Sequence, residues 1–139
     1  MVCAFFGHKD CAEEIEEKAE ELIISLIRNE EAVEFLVGNN GNFDKKIQVV
    51  LRKIKNVYPH INYAVALAYL PEKKTLSTDM NTVFPEILDN VPPKYAIDRR
   101  NTWMIDKADI VITYVRHISG GAAKFREKAK KKGKIVMDI

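Results

Sequence analysis

Three stretches of the chain have residue types and spacing that could hold an anion. Gly38-Asn39-Asn40-Gly41-Asn42-Phe43-Asp44 joins an apolar segment to an amphipathic one. Gly7-His8-Lys9 follows a short apolar run, and Gly120-Gly121 follows the most apolar segment of the chain, residues 110–115. Each turn leads into a helix start, where unpaired backbone N–H groups and the positive end of the helix dipole attract negative charge. Glycine lets that charge come close to the backbone. Phosphate is the group such turns imply. The spacing is neither the G-x-G-x-x-G dinucleotide fingerprint nor a P-loop ending in Gly-Lys-Ser/Thr, so standard NAD or ATP binding is not indicated.

Several side chains could complete such a site. Arg100 can grip phosphate or carboxylate through two parallel hydrogen bonds, or form a surface ion pair with Asp98 or Asp106. Asn101 lies in a helix interior, where asparagine is unfavourable unless its side chain has a partner. Asp44 either accepts from a ribose hydroxyl or simply favours the start of a helix, and Asn39 and Asn40 suit a left-handed turn. His8 directly follows a strand and could contact a ligand or cap the turn. His60 reads as loop, and His117 lies close to Gly120. Ser119 reads as a helix cap and not as a nucleophile, because no histidine is placed locally as its base. No pair of His, Cys or carboxylate residues has metal-ligand spacing, so no metal site is expected.

The elements that must position these residues alternate. Residues 2–6 read as a strand, and Asp10 with Glu13 has the spacing of a capping box that opens a helix. Ile15, Ala19, Leu22, Ile23, Leu26 and Ile27 form its apolar face, opposite a row of glutamates. Residues 33–37 read as the second strand. The next helix carries Ile47, Val50, Leu51, Ile54 and Val57 and stops before Pro59. Residues 62–70 and 82–84 are further strand candidates, with a loop at 70–81 between them. The paired prolines of residues 90–94 predict a turn. Residues 95–107 are helical, 110–115 a strand, 122–132 a helix and 135–139 a closing strand. Strands apolar on both faces, alternating with helices, predict a Rossmann-like three-layer α/β sandwich with a mostly parallel central sheet. In such a sheet the three glycine turns all fall at the carboxyl ends of strands, where ligands bind.

At 139 residues, 47% hydrophobic and 30% charged, the chain is one domain able to bury its own core. A net charge of +2 does not make the whole surface a trap for polyanions. The basic run at residues 124–134 reads as a solvated helix end, terminated by Gly133, and not as a nucleic-acid surface. An acidic first helix and a basic last helix could pair within one molecule or between two, which leaves a homo-oligomer open. Cys3 and Cys11 read as free thiols, no apolar run nears the roughly 20 residues of a membrane span, and the cytoplasm is the expected location.

Taken in order, Phe6-Gly7-His8-Lys9, Gly38-Asn39-Asn40-Gly41-Asn42-Phe43-Asp44, Arg100-Asn101-Thr102-Trp103-Met104 before Ala108-Asp109-Ile110-Val111-Ile112, and Gly120-Gly121-Ala122-Ala123-Lys124 resemble the SLOG superfamily. That Rossmann-like group joins the DNA-processing protein A (Smf) type, the Lonely-Guy phosphoribohydrolases and the YpsA-like proteins, and the likeness is nearest the YpsA-like branch. It spans almost the whole chain. The resemblance implies a pocket for a nucleotide derivative, of the ADP-ribose or NAD-related kind, formed by the three turns with Arg100 and Asn101; no other cofactor is implied. The YpsA-like branch carries Gly-His-Arg where this chain has Gly7-His8-Lys9, so a point charge replaces a two-bond fork. The Lonely-Guy enzymes imply an alternative. Their Pro-Gly-Gly-x-Gly-Thr-x-x-Glu falls on residues 119–127 and their Arg-Lys-x-x-Met on residues 100–104, without the second glycine and the threonine. Glu127 would then stabilise an oxocarbenium-like ribosyl centre while Arg100 orients phosphate.

Overall fold

Strands with apolar side chains on both faces stay dry only if helices cover both sides of the sheet. In β1, Val2–Gly7, the side chains of Cys3 and Phe5 enter one core and those of Ala4 and Phe6 enter another. The computed structural model describes residues 1–69 and 82–139. After β1 come α1 (Glu16–Asn29), β2 (Glu34–Val37), α2 (Asn42–Val57), β3 (Asn62–Ala66), β4 (Thr82–Val83), a 3-10 turn (Glu86–Leu88), α3 (Pro93–Lys107), β5 (Ile110–Tyr114), α4 (Gly121–Lys131) and β6 (Ile135–Asp138).

The six strands form one sheet in the order β4-β3-β2-β1-β5-β6, and every pair is parallel. The fold is therefore the Rossmann-like α/β sandwich the sequence predicts. Ile23 and Leu26 of α1 and Ile47, Leu51 and Ile54 of α2 pack on the face of Phe5, Phe35 and Ile112. Met104 and Ile105 of α3 and Phe125 of α4 cover the face of Ala4, Phe6 and Val111, where the Phe6 and Phe125 rings stack 5.9 Å apart. Cys3 and Cys11 are free and buried, and burial pushes the Cys3 thiol up to about 12. No helix among the described residues is long and apolar enough to cross a membrane.

Several local expectations need correction. The Asp10–Glu13 capping box does not form: α1 starts only at Glu16, with no side-chain cap. Glu13 instead meets Arg116 at 3.3 Å, a tertiary ion pair in place of a local bond to backbone. The paired prolines start α3: Pro92 is its cap and Pro93 its first residue, where the missing N–H breaks no helical bond. Val57 is 67% exposed at the end of α2, off the face on which Ile54 is buried. Strand β3 ends at Ala66, and the loop expected at 70–81 lies outside the described residues.

Chain order reverses between β1 and β5. Everything before β5 builds outward through β2 and β3, and everything after it builds the other way. All carboxyl ends share one edge because every pair is parallel, so the turns after β1, β2 and β5 meet there. Gly7 is constrained at this edge: a Cβ added to it would stand 2.2 Å from the Phe43 ring, which is wholly buried and stacks on Tyr114 at 5.9 Å. Gly7→Ala is expected to lower stability by about 1–3 kcal/mol through overpacking, read as an earlier urea midpoint; an unchanged midpoint would mean that Phe43 can move aside without cost.

Candidate functional site

A cavity of about 320 Å³ opens where the strand order reverses. Gly7, His8 and Lys9 line it from the β1 turn, Gly38, Asn40 and Asp44 from the β2 turn and α2, Arg100 and Asn101 from α3, and Gly121 from α4. Phe5, Phe6, Ile97, Ala122 and Phe125 supply the apolar walls. Three expected residues are not part of the lining. Asn39 reaches Arg100 Nη1 through its Oδ1 at 3.5 Å, Gly41 shapes the turn, and Gly120 caps α4.

The β2 turn supports the site from within. Gly41 has φ of +124°, and a Cβ there would lie 2.6 Å from the Lys9 Cα, so only glycine fits. The amide of Asn42 donates to the Lys9 carbonyl at 2.8 Å and that of Asn40 to Asp44 Oδ2 at 2.9 Å. Those two donors are therefore occupied by protein, whereas the sequence assigned them to a phosphate. The α4 turn differs. Its first helical bond runs from Lys124 N–H to the Gly120 carbonyl, which leaves the amides of Gly121, Ala122 and Ala123 without a protein acceptor among the described residues. No heavy atom lies within 4 Å of a Cβ built on Gly121, so the start of α4 is open on that side.

Asp44 and Arg100 form the inner wall. Arg100, only 2% exposed, donates from Nε to Asn101 Oδ1 at 2.9 Å and from Nη1 to the Ala66 carbonyl at 3.2 Å. Burial lowers the Arg100 pKa and raises that of Asp44, and in each case the attraction of the partner opposes the shift. Ile97, Arg100 and Asn101 are spaced by three and four on α3, so one helix face brings all three to the cavity. That spacing was the available signal for Ile97. Phe125, one turn after Gly121, carried the same signal on α4.

His8 ties two turns together. Its Nε2 accepts from the Arg116 amide at 2.8 Å, its ring lies 4.8 Å from that of His117, and Arg116 continues to Glu13 and Asp138 at 3.3 Å each. Glu127 does not line the cavity. Its carboxylate is more than half exposed and meets Lys130 at 3.4 Å and Arg126 at 3.8 Å. His60 and Ser119 are likewise absent from the lining.

The basic run of α4 faces α3 and not the acidic α1. Lys124 bonds Asp98, Lys128 donates to Thr102 at 2.7 Å and Lys132 pairs with Asp106, a ladder repeating every four residues on both helices. The Lys124 bond also holds Asp98 below the usual carboxylate range.

An all-parallel sheet, covered on both faces and hollowed at the strand reversal, defines a Rossmann-like α/β domain. The same fold occurs in DNA processing protein A from Streptococcus pneumoniae, with a TM-score of 0.64 and 14% identity over 99% of this chain and 49% of that one. It occurs also in DNA processing protein A from Helicobacter pylori, whose structure addresses its single-stranded DNA binding mode, with a TM-score of 0.67 and 17% identity over 99% of this chain and 64% of that one. The chain thus spans about half of the first and just under two thirds of the second. Both are of the DNA-processing type that the SLOG resemblance includes. No protein-family model matches the chain, and no curated protein matches it.

The histidine contact sets a pH dependence. Burial, then His117 and Arg116, lower the His8 pKa from 6.5, while Asp138 opposes them. A depressed folded-state pKa means that the unfolded chain binds the proton first. The contribution of His8 is complete above 6.5 and declines as pH falls through and below that value. His8→Gln keeps an acceptor that cannot be protonated. Its urea midpoint should fall less steeply than that of the wild type between pH 7 and pH 5, and parallel curves would contradict this.

Proposed function

We propose that the cavity binds a phosphate-bearing nucleotide derivative, of the ADP-ribose or NAD-related kind that the family likeness suggests. The observation that carries this reading is the meeting of the Gly121 amide turn, Lys9 and the buried Arg100–Asp44 wall around one hollow of about 320 Å³. That volume lies in the range of small-molecule pockets, and apolar walls with a few converging polar groups are what such ligands need. The α4 turn is the seat for phosphate, since its first amides have no protein acceptor among the described residues and lie at the positive end of a helix dipole. Lys9 adds a charge at the mouth. Assignment to the YpsA-like branch rests on the ordered residues from Gly7 to Lys124 and agrees with a binding or sensing role. The phosphoribohydrolase alternative loses the carboxylate that would stabilise its ribosyl centre, because Glu127 stands outside the hollow.

A second reading, single-stranded nucleic acid, is favoured by the Helicobacter pylori neighbour. Tyr69 and Tyr95, each half exposed, flank the start of α3, where the Tyr69 hydroxyl donates to the Pro93 carbonyl, and Lys94 lies over the Tyr95 ring. Exposed aromatic rings with cations beside them suit base stacking. The lysines of α4 contribute less, because Asp98, Thr102 and Asp106 already engage three of them.

Nucleoside monophosphates and ADP-ribose should raise the melting temperature of the purified protein. A ligand at a hundredfold excess over its Kd adds about 2.7 kcal/mol, a shift of several degrees. Gly121→Pro keeps a residue suited to the first helical position but removes an amide donor, and it should abolish most of that shift. Absence of any shift across the panel, with tight and salt-sensitive retention of single-stranded DNA, would replace the first reading by the second.

A further inference from the structure

The inner end of the cavity is electrically mixed. Asp44 and Arg100 are both more than nine-tenths buried, and they approach one point from two helices. A Cβ on Gly38 would lie 2.8 Å from Asp44 Oδ2 and 3.1 Å from Arg100 Nη1. Each makes internal bonds: Oδ2 accepts from the Asn40 amide, Nη1 donates to the Ala66 carbonyl, and Nε donates to Asn101 Oδ1. That last bond fixes the Asn101 amide, because Nε–H requires an acceptor and Nδ2 is then turned away as a donor. Among the described residues nothing donates to Asp44 Oδ1, and nothing accepts from Arg100 Nη2 or Asn101 Nδ2. Among the described residues, one acceptor and two sets of donors thus have no protein partner, and because Asp44, Arg100 and Asn101 line the hollow they are placed to bond a guest in it.

Charge decides what that something is. A phosphate beside Arg100 would stand equally close to the Asp44 carboxylate, whose repulsion offsets the attraction in a site poorly screened by water. A neutral group carrying both donors and acceptors, such as a ribose diol or the amide-like edge of a base, satisfies all three side chains without that conflict. Resting on the nucleotide reading of the cavity, we propose that the ligand enters with its uncharged nucleoside end inward, against Asp44, Arg100 and Asn101, and leaves its phosphate at the mouth over the Gly121 amide.

Calorimetric titration with ribonucleosides, their 5′-monophosphates and inorganic phosphate tests the orientation. Asp44→Asn keeps an oxygen for the Asn40 amide and the same shape, but it puts a donor where the wall now offers an acceptor. The variant should bind a nucleoside and its monophosphate at least tenfold more weakly, by the same factor for both. Lys9→Ala, at the exposed mouth, should weaken only the phosphorylated ligand. Tighter binding of the monophosphate by Asp44→Asn would overturn the orientation, since it would mean that removing the carboxylate relieved a buried phosphate. Should that variant not fold, competition on the wild type decides. Displacement of the bound monophosphate by the nucleoside supports the orientation, and displacement by inorganic phosphate but not by nucleoside overturns it. Failure of every nucleotide to bind the wild type would overturn the nucleotide reading itself, together with the orientation that rests on it.

Discussion

A carboxylate from the first turn of α2 and a guanidinium from the middle of α3 come to the same point at the end of β2 because position 38 has no side chain. The two helices lie on opposite faces of the sheet, so side chains from both layers meet at its carboxyl edge. Any larger residue at position 38 would drive the two charges apart. Their attraction, which offsets part of the cost of burying each of them, would weaken. The floor of the cavity, the placement of Asn39 and Asn40 and the position of Asn101 all follow from this pair.

The mouth is built differently. There the turns are braced by uncharged contacts and by a surface network: Asn42 to Lys9, Arg116 to His8, and Arg116 to Glu13 and Asp138. Exposed ion pairs contribute little on their own, about 0–1 kcal/mol each, so the bracing depends on several acting on one residue, Arg116. A rigid, buried floor and a lightly braced rim suit a ligand whose inner end is recognised by shape and hydrogen bonding and whose outer end is held by charge.

Much of this was legible in the sequence because periodicity and glycine placement report on local geometry. The alternation of residues 2–6, 33–37 and 110–115 with amphipathic segments gave the parallel sandwich, and placing glycines after those strands brought three turns to one edge. The convergence of Arg100 and Asn101 with Gly38 and Asp44 could be read only as a set, since α3 enters from the opposite face. What sequence alone could not show is competition for the same groups. Asp10 and Glu13 have the spacing of a cap, yet Glu13 serves Arg116, about a hundred residues away along the chain. The amides of the β2 turn have the geometry for an anion, yet Asp44 and Lys9 already occupy two of them. The lysines of α4 have the look of a free basic patch, yet α3 carries the matching acceptors at positions 98, 102 and 106.

The most direct measurement is a nitrogen–proton correlation spectrum of the labelled protein titrated with a nucleoside 5′-monophosphate. The amide signals of Gly7, Gly38 and Gly121, which belong to three turns far apart in the chain and gathered at one edge, should move together with a single saturation curve. Perturbations confined to the lysine-rich end of α4, with those three signals unmoved, would contradict a ligand held in the shared hollow.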